Sequence, residues 1–204
     1  MNKQFAVLGL GSFGRSVALS LEKMGCDVMV VDDSYEKIQE ISDKVSYAMK
    51  ADVTDKDALQ ALGARNLDGV VVAVSEHPEA NIMATLLCKE MGIPLVVAKA
   101  KDKLQGTILE KVGADSVVYP EIEMGSRIAK NMVANEFTDW IELSNDYSIV
   151  EIAVPRRWEG KSLAELDVRK KYGITVVGVM QGEKMDISFN PQTPLPGNAI
   201  LVLI

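Results

Sequence analysis

Three glycines, Gly9, Gly11 and Gly14, interrupt the run FAVLGLGSFGRSVALSLEKMG (residues 5–25) where an apolar stretch gives way to an amphipathic one. The spacing G-x-G-x-x-G at a strand-to-helix junction assigns each a separate task. Gly9 permits a tight turn, Gly11 lets backbone approach a pyrophosphate, and Gly14 lets helix and strand pack closely. The first-turn N–H groups, those of Ser12 and Phe13 included, then face an anion. Asp32 closes the next apolar run, VMVVD, at the distance of a carboxylate that accepts hydrogen bonds from ribose hydroxyls, and Asp33 follows it. Two acids there repel a 2′-phosphate, and the next basic side chain, Lys37, belongs to the following helix. The expected ligand is therefore an adenosine compound without that phosphate, and NAD, ATP, ADP and AMP all qualify.

The same alternation continues along the chain. Strand-like runs at residues 5–8, 28–31, 46–50, 69–74, 95–99 and 116–119 are separated by stretches with apolar residues at helical spacing: 16–24, 35–42, 55–62, 79–91 and 103–112. Gly25, Gly63, Gly92 and Gly113 stand where helices need a left-handed C-terminal residue. Such regularity predicts an α/β domain with a doubly wound, Rossmann-like parallel sheet covered on both faces. A helix is expected over 121–134, and the pattern breaks around 135–144. After it, SIVEIAVP, GITVVGVM, MDISF and AILVLI read as strands around a short helical stretch, 163–172, which predicts a small α+β C-terminal domain. The expected division is 1–138 and 139–204.

Composition narrows the function. Twenty-two basic against 29 acidic residues give a net charge of −7, with no run of Lys or Arg long enough for a phosphate-backbone footprint, so nucleic acid is not an expected partner. No stretch reaches the roughly 18 apolar residues of a membrane span, and the first apolar run is too short for a signal peptide, so the chain reads as cytosolic. The two cysteines, Cys26 and Cys88, lack companions at metal spacing and are expected as buried thiols.

Ligands of open parallel sheets lie at the C-terminal ends of the strands. That rule places Asp52 and Val53 at an adenine, with Asp52 equally suited to a turn, and Asp55 or Thr54 better suited to capping the next helix. It sets Ala73, Val74 and Ser75 beside ribose and phosphates. Lys99 either reaches a terminal phosphate or is a surface lysine. A dehydrogenase would also need an acid–base group and a second substrate site. The one histidine, His77, either faces the crevice or, as a lone histidine before a proline, is a loop residue; no Tyr-x-x-x-Lys pair, nucleophile elbow or metal-ligand spacing is present, and no catalytic residue is assigned. The expected chain binds a nucleotide and reports it, the alternatives being a small NAD-dependent oxidoreductase and a structural dimerisation module.

Taken with VVDDS, ADVTD, VVVAVSE, PLVVAKAKD and LEKVGADSVVYPEIEMGSRIA, the glycine run resembles the KtrA/TrkA-type potassium-uptake regulators, RCK (KTN) proteins with an RCK_N and an RCK_C part. The resemblance covers nearly the whole chain. It implies a cytoplasmic, non-catalytic regulatory subunit, forming dimers that assemble into an octameric ring on the inner face of a membrane potassium-translocating subunit of the KtrB/TrkH kind. ATP and ADP, or NAD and NADH, would compete for the crevice. The resemblance carries nucleotide roles onto Gly9, Gly11, Gly14, Asp32, Asp52 and Lys99. It makes Glu121 an acid beside the triphosphate that helps hold Mg2+ or another divalent cation; read from the residues alone, Glu121 is equally a first-turn helix acid. Ser12 stands where such regulators carry an arginine, with Arg15 as a compensating charge or a surface residue. In the C-terminal part the resemblance implies cyclic di-AMP binding, with Arg169 as the phosphate partner and Val168 and Ile174 as apolar contacts.

Overall fold

The computed structural model describes residues 2–61, 63, 66–133, 137–144 and 146–204. Two compact units divide the chain, Met1–Ile122 and Glu123–Ile204.

In the first unit six strands, β1 (Gln4–Leu8), β2 (Asp27–Asp32), β3 (Tyr47–Lys50), β4 (Gly69–Val72), β5 (Val96–Lys99) and β6 (Ser116–Val118), form one sheet in the order β3-β2-β1-β4-β5-β6. Every pairing in it is parallel. Successive side chains point to opposite faces of a strand, so each inner strand feeds two cores. Ala6 and Leu8 of β1 join Val31, Val70 and Val72 on one face. Val7 joins Val28 and Val30 on the other. Helices α1 (Ser12–Lys23) and α2 (Tyr35–Ile41) cover the second face through Ala18, Ile38 and Ile41. Helices α3 (Lys56–Ala61) and α4 (Pro78–Glu90) cover the first through Leu59, Ala84 and Cys88. Burial on both faces is why β4 is the unbroken apolar run GVVV; each of its fully buried valines contributes roughly 1.5–3 kcal/mol. Helix α5 (Lys103–Lys111) precedes β6, and α6 (Pro120–Val133) follows it. Leu62 and Ala134, expected as the last residues of α3 and α6, lie outside the described residues, as does Asn135. The four expected helix-terminating glycines have φ between 71° and 105°.

The second unit is an antiparallel sheet ordered β10-β9-β11-β8-β7, built from β7 (Phe137–Glu142), β8 (Ser148–Ala153), β9 (Val176–Gln181), β10 (Lys184–Asp186) and β11 (Ile200–Leu203). The segment expected to break the pattern is thus a strand. Its register shifts between Phe137 and Asp139, which removes the strict alternation by which a strand is recognised. The expected strand MDISF shortens to an end of β10. The helical stretch 163–172 is two short helices, α7 (Leu163–Leu166) and α8 (Val168–Tyr172), separated by Asp167 at φ 45°, ψ 47°. A capping box between Ser162 and Glu165 opens α7, and Leu163, Leu166 and Val168 pack with Trp158 and Leu201 in a core of their own.

Candidate functional site

The chain leaves β1 through Gly9, whose φ of +96° only glycine adopts without strain; a Cβ there would also stand 3.0 Å from the Ala73 carbonyl carbon and the Val74 nitrogen. Two backbone bonds hold this crossing, Gly9 N–H to Val31 O at 2.8 Å and Ala73 N–H to Leu8 O at 2.7 Å. A Cβ on Gly14 would overlap the Gly9 carbonyl oxygen, so Gly14 is the close-packing glycine. Gly11 differs. It is the N-cap of α1 with ordinary extended backbone (φ −63°, ψ 176°), and a Cβ there would meet no protein atom within 4 Å. Among the described residues none uses the space that the missing side chain leaves. The first turn of α1 carries no acidic residue and no side-chain cap, so its N–H groups keep their affinity for an anion.

Asp32, 5% exposed at the end of β2, fixes the loop from the other side. Its carboxylate accepts from Leu10 N–H at 2.6 Å and Ser34 N–H at 2.9 Å, and the Lys37 ammonium lies 3.4 Å from each oxygen. A carboxylate offers about four acceptor positions; Leu10, Ser34 and Lys37 take three, so Asp32 orders the glycine loop and accepts from a pair of hydroxyls once Lys37 gives up its place. Asp52 forms a tight turn, accepting from Thr54 N–H at 2.8 Å and Thr54 Oγ1–H at 2.7 Å; these bonds hold its carboxyl below the usual range. Asp55 caps α3, accepting from Asp57 and Ala58 N–H.

Across the sheet, Asn81 is fully buried and donates to Val74 O at 2.7 Å and Lys99 O at 3.0 Å, clamping the C-terminal ends of β4 and β5 together. Between these parts lies a crevice of ≈ 510 Å³. It is lined by Gly9 and Gly11 from the loop, Asp32 and Asp33 from the end of β2, Asp52 and Val53 after β3, and Ala73, Val74 and Ser75 after β4. Nine expected site residues are therefore brought together.

Ser12, Phe13, Gly14, Lys99 and Glu121 do not line it. Gly14 lies beneath the loop. Lys99 is buried, donates to Glu121 Oε1 at 2.5 Å and lies 5.8 Å from the centre of the Phe13 ring, so it is neither a surface lysine nor aimed into the crevice. That bond from Lys99 is the main reason the Glu121 carboxyl sits below its usual range. In this chain an ammonium engages the Glu121 carboxylate, and among the described residues no group of three His, Cys, Asp or Glu could hold a metal. Arg15 pairs with Glu40 of α2 and does not stand in for the missing loop arginine.

In the second unit Val168 is 6% exposed inside the core and Ile174 packs against that core, so Val168 has no surface to offer a base; Arg169 is exposed. Cys88 is buried and its thiol is pushed up to about 12 by burial, whereas Cys26 is only half-buried.

Other lining residues escaped the sequence reading. Lys37 lines the crevice although its helix was expected to carry it away. Glu79, Ala80 and Met83 line it at the spacings of a helical stripe, a signal that was available once α4 was recognised, and Glu76 lines it from the segment before that helix. Thr54 lines it as well, and His77 takes the crevice-facing of its two expected places. Asn81 is legible only from the two carbonyls it joins.

Comparison with known proteins places this geometry. Residues 5–120 match the TrkA-N domain and residues 147–204 the TrkA-C domain. The chain is 42% identical over 188 residues to Ktr system potassium uptake protein C of Bacillus subtilis (92% of this chain, 85% of the relative). It is 37% identical over 203 residues to Ktr system potassium uptake protein A of the same organism (100% and 91%). Both relatives are potassium uptake proteins by name. Among solved structures, the GsuK channel bound to NAD matches with a TM-score of 0.67 at 20% identity, over 100% of this chain and 37% of that one. The chain thus spans less than half the length of the GsuK chains it resembles. The AMP-bound Kef C-terminal domain of Shewanella denitrificans matches at a TM-score of 0.57 and 21% identity, over 65% of this chain and 81% of that one. A glycine loop, a carboxylate at the end of β2 and a matching pair of domains together show that the chain belongs to the Ktr/TrkA family of potassium uptake proteins.

Proposed function

We propose that the chain is a nucleotide-sensing regulatory subunit of a membrane potassium uptake system, holding ATP or ADP, or NAD(H), in the crevice of the first unit. The observation that carries this reading is the unused space above Gly11, which opens beside the free amides of α1 and faces Asp32 across one crevice. The α1 amides bind the phosphates, Asp32 accepts from the ribose hydroxyls, and Val53 supplies an apolar surface to the adenine. Asp32 and Asp33 together exclude a 2′-phosphate by charge. NAD-bound GsuK, ADP-bound GsuK and the AMP-bound Kef domain support an adenine nucleotide on this fold. The Ktr relatives support a membrane potassium-transporting partner.

Regulation then follows from unequal affinity. A nucleotide shifts a conformational equilibrium only by the difference in its affinity for the two states. ATP and ADP must therefore contact two shapes of the assembly, an octameric ring on the cytoplasmic face of the membrane, to different extents. A thermal-shift series with ATP, ADP, AMP, NAD(H) and NADP(H) tests the reading, because a ligand of the native state raises the midpoint by mass action. ATP, ADP or NAD(H) should raise it and NADP(H) should not; stabilisation by NADP(H) alone would replace the regulator with a reductase.

A further inference from the structure

The Asp32 carboxylate is contested. Of its roughly four acceptor positions, Leu10 N–H takes one at 2.6 Å, Ser34 N–H one at 2.9 Å, and the Lys37 ammonium, 3.4 Å from each oxygen, a third. One is left. A ribose 2′,3′-diol brings two hydroxyl donors, so Asp32 cannot accept from both until one of the three partners leaves.

Geometry decides which. The Leu10 and Ser34 amides belong to the backbone, the first in the glycine loop and the second at the N-cap of α2, and neither can leave without moving the chain. Lys37 makes the longest contact of the three, its side chain is 44% exposed, and it lines the same crevice. Its flexible stem can carry the ammonium into water. The start of α2 does not depend on that side chain, because it is the backbone N–H of Lys37 that donates to Ser34 Oγ.

We propose that Lys37 is a specificity-determining residue of this crevice, an internal competitor of the ribose diol that must give up Asp32 before both hydroxyls are accepted. The proposal rests on the nucleotide reading above and adds a residue to it. Its consequence falls on the sugar. A ribonucleotide gains two bonds to Asp32 at the cost of the ion pair, whereas a 2′-deoxyribonucleotide, with one hydroxyl, uses the remaining position and leaves the ion pair in place. The lysine therefore narrows the preference for ribose over deoxyribose. It also balances the charge of a buried carboxylate in a lining that carries Asp33, Asp52, Glu76 and Glu79 as well.

The test is calorimetric titration of the full chain with ADP and with 2′-deoxy-ADP, on wild type, Lys37→Met and Lys37→Arg. Removing the ammonium makes the lining more negative and weakens both ligands alike, since they carry the same phosphates, so the ratio of the two affinities isolates the sugar. That ratio should be about fivefold larger in favour of ADP in Lys37→Met than in wild type, the size of one partly exposed ion pair. Lys37→Arg, whose guanidinium again engages the carboxylate, should keep the wild-type ratio. An unchanged or smaller ratio in Lys37→Met, loss of ADP binding in that variant, or an equal rise in Lys37→Arg overturns the role of Lys37 while leaving the nucleotide site standing. Absence of ADP binding by wild type overturns the nucleotide reading itself.

Discussion

Gly11 and Gly14 stand one helical turn apart and answer to different constraints. Gly14→Ala drives a Cβ into the Gly9 carbonyl and should lower stability by about 1–3 kcal/mol in urea unfolding. Gly11→Val meets no protein atom and keeps a backbone that valine readily adopts, so its circular dichroism should match wild type while nucleotide stabilisation is lost. Asp32→Ala should remove nucleotide binding and also cost about 1–3 kcal/mol, since Leu10 N–H is left buried without an acceptor. The places of these residues were legible in the sequence because each is set by the local path of the backbone. Lys99, Glu121 and Arg15 were not. Their partners lie 22 or 25 residues away, and no periodicity says which of two nearby acids a long side chain will choose.

The elements of the first unit were legible for a similar reason: burial on both faces turns strands into apolar runs, and glycine punctuates the helices. In the second unit the signals weaken where geometry departs from the regular. The bulge at Phe137–Asp139 hides β7, and the left-handed Asp167 cuts one expected helix into α7 and α8. The joints between elements yield their own predictions. Asn81→Ala removes donors from the carbonyls of Val74 and Lys99 and should lower stability by about 1–3 kcal/mol and loosen the crevice, read as a lower melting midpoint with weaker nucleotide binding. Asp115 ties α4 to the sheet by accepting from Lys89 Nζ at 2.9 Å and Val96 N–H at 2.7 Å; its carboxyl lies below the ordinary 3.8, chiefly because of the Lys89 bond. A lowered folded value means that this stabilisation is present above the unfolded value and lost as pH falls through the folded one. The melting midpoint should therefore drop on acidification below about pH 4, with Asp115→Asn showing a shallower fall over that window.

At the scale of the whole molecule, helix α6 starts where the TrkA-N match ends, at residue 120, and runs from the first unit into the second, ahead of the TrkA-C match at 147–204. Amphipathic and rich in exposed apolar residues, among them Ile122, Met124, Ile128 and Met132, it suits the proposed assembly. Light scattering should accordingly report a multiple of the 22.2 kDa chain, an octamer for the proposed ring; a monomer at all concentrations would rule the ring out. Among the described residues no helix is long and apolar enough to cross a membrane. All of this depends on an adenine nucleotide lying against the amino end of α1. Titration calorimetry with ATP, ADP and NAD on wild type and Gly11→Val tests that most directly. Saturable binding to wild type and none to the equally folded variant is the predicted result; no binding to wild type, or unchanged affinity in Gly11→Val, would contradict it.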